Sequence, residues 1–374
     1  MKIAILVDTL AVGGAERQAI LCVSELRKLG HSADLIYYHP TVEYGEMLEQ
    51  LGVQPIYVDA NSSFRRFHRL RSLFRERNYD VVHGFKMGAE FYAAISGAWA
   101  RVPRRFGSCR STYDLSLKYC LLHFLIDKLL DAWIVNSKAG AESMARKARI
   151  SAQKMVILPN GVCAEMFLAP MPAAEAKARL GFSADRVLVT MIARLEPGKN
   201  HRMFIDAASI VTRREPKAVF MVVGKGSQQS ALQGYASNQG LSGSVIFLGQ
   251  RPDVAEILAA TDISALSSDL EGLPNAVIES MAAGKPVVCT NYPGYHQVMV
   301  PESNALISPC GDAGAFAENV LRLIENPSLR HQIGSAAQQH VRKHFSNQTM
   351  AKNLVAIYSD FPRRNLVAPS FCPS

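Results

Sequence analysis

The sequence predicts an α/β protein of two doubly wound parallel sheets facing one another across a cleft. Three observations carry this. Its 374 residues exceed what one hydrophobic core usually organises, so two domains are expected. Short β-branched runs alternate with longer segments of helical period through both halves, as in parallel sheets covered on both faces. The composition, 48% hydrophobic and 20% charged, excludes disordered, collagenous and coiled-coil classes.

In chain order, Ile3–Asp8, Ala33–Tyr38, Gln54–Val58, Val81–Phe85, Arg105–Cys109, Ala132–Asn136 and Val156–Leu158 read as strands of a first sheet. Val187–Ala193, Val219–Gly224, Val245–Leu248, Ile263–Leu266, Pro286–Thr290 and Ala305–Ile307 read as those of a second. Helix-period segments such as Ala15–Leu29, His201–Arg213 and Gly314–Ile324 fill most gaps. Pro170-Met171-Pro172 is a loop-forming junction. Residues 1–168 are therefore expected to form the first domain and 173–344 the second. Residues 345–362 are expected to return to the first domain as a helix, with 363–374 a frayed tail. Ligands of such sheets sit beyond the carboxyl ends of the strands.

No membrane span is expected, because the best candidate, Leu115–Val135, is broken by Lys118, His123, Asp127, Lys128 and Asp131. The apolar start is too short for a signal peptide. Seven scattered cysteines form no CxxC pair and no cluster with histidine, so neither a disulfide framework nor a metal site is expected. A cytoplasmic protein follows, with peripheral attachment to the inner membrane face left open by its charge. Up to residue 168 there are 22 Lys and Arg against 16 Asp and Glu, and beyond it 19 against 16. The excess centres on Phe64–Arg77, where six Arg stand against one Glu and Phe64, Phe67, Leu70, Leu73 and Phe74 recur at helical spacing. Such a helix packs its apolar stripe inward or lies on an anionic bilayer, and its Arg face stays free in both cases. Nucleic acid is not an expected partner, since no stacking aromatics alternate with these cations.

Several turns could carry chemistry. Gly13 and Gly14 follow the first strand and open a helix, a place where an anion can approach the backbone. In the second half, Arg194 and Lys199 lie five residues apart on the loop after Val187–Ala193, a pairing suited to a diphosphate. Gly224 ends the next strand in another close-approach turn. Glu271 precedes a helix opened by Pro274 and closed by Gly284, with Glu279 on its second turn. Carboxylates there could accept hydrogen bonds from sugar and ribose hydroxyls, or simply complement the helix dipole.

Taken together, these pieces resemble the retaining glycosyltransferases of family 4, which have two Rossmann-like domains in the GT-B arrangement. The resemblance spans nearly the whole chain: Gly13-Gly14-Ala15-Glu16, Asp80-Val81-Val82-His83, Pro159-Asn160-Gly161-Val162, Arg194 with Lys199-Asn200, Gly224, and Glu271 with Glu279 before Met281-Ala282-Ala283-Gly284. It implies that Arg194 and Lys199 hold a donor diphosphate to which Gly14 offers its backbone. It also implies that Glu271 contacts the transferred sugar, Glu279 the nucleotide ribose, and the turn at Gly249, Gln250 and Arg251 the base. The expected reaction moves a sugar from a nucleotide-sugar donor to a hydroxyl of a saccharide or lipid-linked saccharide, without metal or other cofactor, in surface polysaccharide synthesis.

Two positions depart from the family. Cys109-Arg110-Ser111 stand where a sugar-positioning His is common, with Arg110 a possible electrostatic substitute, and Gln297 replaces a frequent Glu. His83 is read mainly as a polar strand-end residue and secondarily as a sugar or acceptor contact. The departures motivate a rival reading, a nucleotide-sugar-binding partner subunit without catalysis. A nucleotide-sugar epimerase is a more distant rival.

Overall fold

The structure is a computed structural model that describes residues 1–360 apart from 12, 87, 110–116, 164–166 and 168–170, and omits the side chains of 117 and 118. The chain separates into two compact units, Met1–Gly161 with the chain from Asn347, and Val162–Ser346.

The first unit holds β1 (Lys2–Val7), β2 (Ser32–Tyr37), β3 (Ile56–Tyr57), β4 (Val81–Gly84), β5 (Arg104–Cys109), β6 (Ala132–Val135) and β7 (Met155–Ile157), in the order β3-β2-β1-β4-β5-β6-β7. The second holds β8 (Val187–Ile192), β9 (Ala218–Val223), β10 (Val245–Gly249), β11 (Ile263–Leu266), β12 (Val287–Thr290) and β13 (Leu306–Ser308), in the order β10-β9-β8-β11-β12-β13. Every expected strand is present, and all pair in parallel. Each order reverses once, between β1 and β4 and between β8 and β11. Those reversals are the switch points where doubly wound sheets bind ligands.

The chain leaves the first unit at Gly161. Gln18 ties this residue in place, its Nε2 donating to the Gly161 carbonyl at 2.6 Å and its Oε1 accepting from the amide at 3.0 Å. A side chain there would meet Cα of Asn347 at 2.9 Å, so glycine is required by close approach. One residue on, the Val162 amide donates to the Phe345 carbonyl within the second unit. Pro170 of the expected junction and the tail beyond 362 lie outside the described residues.

The helix Asn347–Asp360 buries Met350, Leu354, Ile357 and Tyr358 in the core formed with β1 and the helix Gly14–Lys28. Their spacing is the apolar stripe of an amphipathic helix. On the opposite face of the sheet, Ser62 caps the helix Ser63–Arg77 by accepting from the Arg65 amide. Leu70 and Phe74 pack inward, while Phe64 points out at 72% exposure. The Arg face is not wholly free, which corrects the sequence reading. Arg66 donates to the Tyr92 hydroxyl at 3.0 Å and lies 4.5 Å from the Tyr38 ring. Arg71 lies 4.5 Å from the Trp99 ring. Beyond the helix, Arg105 is spent on the carbonyls of Leu129 and Val102. Aromatic rings and buried carbonyls attract guanidinium groups more effectively than water releases them. Among the described residues, no helix is long and apolar enough to cross a membrane.

Candidate active site

In the second unit the loops after β8, β9 and β11 are stitched together. The Ala193 amide donates to the Val223 carbonyl at 3.0 Å, and the Leu195 amide to that of Lys225 at 3.1 Å. Gly224 has φ +146°, and a side chain on it would meet the Ala193 carbonyl oxygen. A side chain on Gly226 would likewise meet the Leu195 carbonyl oxygen. The two glycines thus let the β9 turn close on the β8 loop, which presents Arg194 as an exposed side chain at its tip. The space at Gly224 is filled by protein backbone.

Lys199 and Glu271 come together. The Lys199 ammonium lies 2.5 Å from Oε1 of Glu271, and the Ser268 hydroxyl donates to the same oxygen at 2.7 Å. Glu271 is 7% exposed, so its charge is compensated by this pairing. The loop carrying Lys199 is pinned to the β11 loop by further bonds. The Asp269 amide donates to the Gly198 carbonyl, Asn200 Nδ2 donates to Asp269 Oδ1 at 3.0 Å, and the Ser267 hydroxyl donates to the Asn200 carbonyl at 2.9 Å. Asn200 takes the left-handed conformation at φ 47° and caps the helix His201–Arg214 by accepting from the Met203 amide. A cation and a carboxylate from distant stretches of sequence therefore sit at the β8/β11 switch point.

Behind them lies His201, which sequence reasoning passed over. It is wholly buried, and neither ring nitrogen has a hydrogen-bond partner. Burial, with the Lys199 charge beside it, pushes its imidazole down to about 4, so it is neutral near pH 7. Ser268 was also missed, since a lone serine before Asp-Leu-Glu gives no signal.

The remaining second-unit candidates are more dispersed. Glu279 is half-buried on the helix Asn275–Ala282. Gln250 is exposed, and Arg251 turns its fork onto Asp253, with contacts of 2.8 and 2.5 Å.

In the first unit, Gly13 is extended and Gly14 is the exposed first residue of the helix Gly14–Lys28, which has no side-chain cap bond. The Gly13 amide donates to the Tyr44 hydroxyl at 3.1 Å. The Glu16 carboxylate folds back against Gly13 and pairs with Lys86 at 2.5 Å, and Asp8 approaches the same ammonium at 3.5 Å. The β1/β4 switch point thus carries Asp8, Glu16 and Lys86, of which only Glu16 figured in the sequence reading.

His83 is the polar strand-end residue of the main sequence reading, and the structure corrects only the secondary one. It is wholly buried, with Nδ1 2.7 Å from the Tyr358 hydroxyl and Nε2 2.7 Å from that of Ser108. It fastens the returning helix to the sheet instead of facing a sugar or acceptor. Arg110, the other proposed contact there, lies outside the described residues. Among the described residues, no group of three or more His, Cys, Asp or Glu is placed to hold a metal ion.

Comparison with known proteins bears on both units. Residues 12–165 match the model of Glycosyltransferase Family 4, and residues 173–340 that of the group 1 glycosyl transferases. The chain is 27% identical over 271 residues, 70% of each protein, to the UDP-Gal:alpha-D-GlcNAc-diphosphoundecaprenol alpha-1,3-galactosyltransferase of Escherichia coli. It is 26% identical over 342 residues to the N,N'-diacetylbacillosaminyl-diphospho-undecaprenol alpha-1,3-N-acetylgalactosaminyltransferase of Campylobacter jejuni, covering 85% of this chain and 89% of that one. Its fold matches Alr3699/HepE of Anabaena, solved in complex with UDP, at a TM-score of 0.84 and 22% identity, covering 96% of this chain and 100% of that one. With both units matched and relatives covered over 70% and 89% of their length named as glycosyltransferases, the chain belongs to glycosyltransferase family 4 and is a glycosyltransferase.

Proposed function

We propose that the enzyme transfers a sugar from a UDP-sugar to a hydroxyl of a lipid-diphosphate-linked saccharide, with retention at the anomeric carbon, during synthesis of a surface polysaccharide. The observation that carries this is the Lys199–Glu271 pair at the β8/β11 switch point, with Arg194 exposed on the same loop. Both hydrogen bonds of Glu271 fall on Oε1, so Oε2 is available to a sugar hydroxyl. Lys199 has three donors and spends one on Glu271. The others, with the Arg194 fork, suit the oxygens of a diphosphate. As the sugar–phosphate bond breaks, charge grows on the departing diphosphate, and preorganised cations stabilise it most where water is scarce. Glu279 is assigned to the ribose and the Gly249–Arg251 turn to the base. The lipid-linked acceptor is supported by the acceptors for which the Escherichia coli and Campylobacter jejuni relatives are named. The first unit would take that acceptor at the inner membrane face, with cations of Phe64–Arg77 toward anionic lipid.

The test is incubation with UDP-, GDP- and ADP-sugars, with and without a diphosphoundecaprenol-linked saccharide, followed by NMR of the new linkage. Transfer from a UDP-sugar giving an α-linkage is expected. Donor binding without transfer to any acceptor would favour the non-catalytic reading, and donor conversion without acceptor the epimerase. The two cations neutralise the diphosphate in this scheme, so a chelator should leave turnover unchanged, and its abolition would overturn that part.

A further inference from the structure

The helix Leu117–Asp127 is apolar on both its inner and its outer side. Its buried side carries Ile126, packed in the core, and His123, 4% exposed, whose Nε2 lies 2.9 Å from Oε1 of Glu90 on the helix Ala89–Ala100. Its outer side carries Leu121, Phe124 and Leu125, exposed by 60%, 45% and 56%. These sit at i, i+3 and i+4, and Lys128 is exposed one turn further on. A helix on a water-facing surface carries polar residues on its outer side. A contiguous exposed apolar face of this kind marks an interaction surface.

We infer that this face docks on an anionic bilayer, with Leu121, Phe124 and Leu125 entering the headgroup–acyl boundary. Charge selects the occupant. The same side of the sheet carries the helix Ser63–Arg77, which leaves Arg65, Arg69, Arg75 and Arg77 exposed. An aromatic strip joins that helix to Ala89–Ala100, with His68 4.6 Å from the ring of Phe64 and 4.6 Å from that of Trp99. Phe64 is 72% and Trp99 44% exposed. Apolar side chains flanked by tryptophan and arginine suit an interface of lipid tails beneath phosphates. A second copy of the chain would bring these arginines against one another, at a cost in repulsion. The inference rests on the proposed lipid-linked acceptor and deepens it. The basic helix supplies attraction, and a different helix, apolar on its outer side, supplies insertion.

The chain supplies its own reporter. Of its two tryptophans, Trp133 is wholly buried and Trp99 is exposed. Vesicles containing phosphatidylglycerol should shift tryptophan emission to the blue, and Trp99→Phe should abolish the shift. Phosphatidylcholine vesicles should bind at least tenfold more weakly. The triple variant Leu121→Ser, Phe124→Ser, Leu125→Ser changes only exposed positions. It should keep its melting temperature and lower the vesicle partition constant at least tenfold. Its turnover on a short-chain, water-soluble acceptor should stay within twofold of the parent. Replacing Arg65, Arg75 and Arg77 by Gln should weaken binding by up to about fivefold per residue. Unchanged partitioning of the triple variant, or equal binding to neutral and anionic vesicles, overturns the inference. So does a parent dimer that this variant disperses. If the variant detaches while the parent transfers no sugar to any acceptor, docking stands and the proposed function falls.

Discussion

The ammonium of Lys199 and the carboxylate of Glu271 share one contact of 2.5 Å that closes the loop after β8 onto the loop after β11. The two residues are 72 positions apart, and the sheet order brings their strands side by side. The pair therefore serves two ends. It compensates a buried carboxylate, and it fixes a cation at the place where a doubly wound sheet takes its ligand. Any substitution at either position has to be read for both.

Lys199→Ala should lower turnover by roughly 10²–10³, the range for removing one preorganised donor to a developing anion. It should also cost stability, on the order of 1–3 kcal/mol, because Glu271 is left buried without its cation. Adding Glu271→Gln should restore most of that stability and none of the activity. Urea unfolding and steady-state transfer separate the two effects. Turnover at the parent level in Lys199→Ala would remove the residue from the reaction.

Gly224→Ala should behave like the loss of Arg194. The new methyl would meet the Ala193 carbonyl, and φ +146° is strained for any side chain. The loop that presents Arg194 must therefore shift. Turnover should fall to within about tenfold of Arg194→Ala, and the two together should be little worse than either. Additive losses would mean that Gly224 acts through something other than this loop.

Tyr358→Phe tests the reassignment of His83. The substitution leaves Nδ1 of a wholly buried imidazole without its hydroxyl partner, an omission worth about 1–3 kcal/mol. The denaturation midpoint should fall with an unchanged slope, while transfer per folded molecule stays at the parent level. A large change in KM at intact stability would return His83 to the acceptor side.

Legibility in the sequence followed the physics of each feature. Periodicity alone located all the strands, because burial on both faces leaves near-continuous β-branched runs. The stripe Met350, Leu354, Ile357 and Tyr358 reads as helical from spacing, yet its partners on β1 and the first helix are set by topology. Glycine in Gly224-Lys225-Gly226 signalled close approach, but only the fold shows that Ala193 is a group that approaches. His83 and His201 look alike in the sequence. One is hydrogen-bonded at both nitrogens and the other at neither, a difference made by neighbours distant along the chain. The exposed apolar face of the helix Leu117–Asp127 was invisible for a related reason. Its apolar residues cover nearly the whole circumference, so periodicity cannot say which side meets water.

The pair Glu90–His123 beneath that helix should make stability depend on pH. Burial pushes the Glu90 carboxyl up to about 7, with the hydrogen bond from His123 opposing the rise. Its ordinary value is 4.5. Between those limits the folded protein holds a proton at Glu90 that the unfolded chain has released. Stability contributed by this group is therefore complete below pH 4.5 and is lost as pH rises toward 7. Glu90→Gln retains an amide in the same space and cannot ionise. The unfolding free energy of Glu90→Gln minus that of the parent should climb across this window and level off above it. The total climb is bounded at roughly 3 kcal/mol by the size of the displacement. Chemical denaturation of both proteins from pH 4.5 to 8 measures it directly. A difference that stays flat with pH would show that the Glu90 carboxyl titrates alike in the folded and unfolded chain.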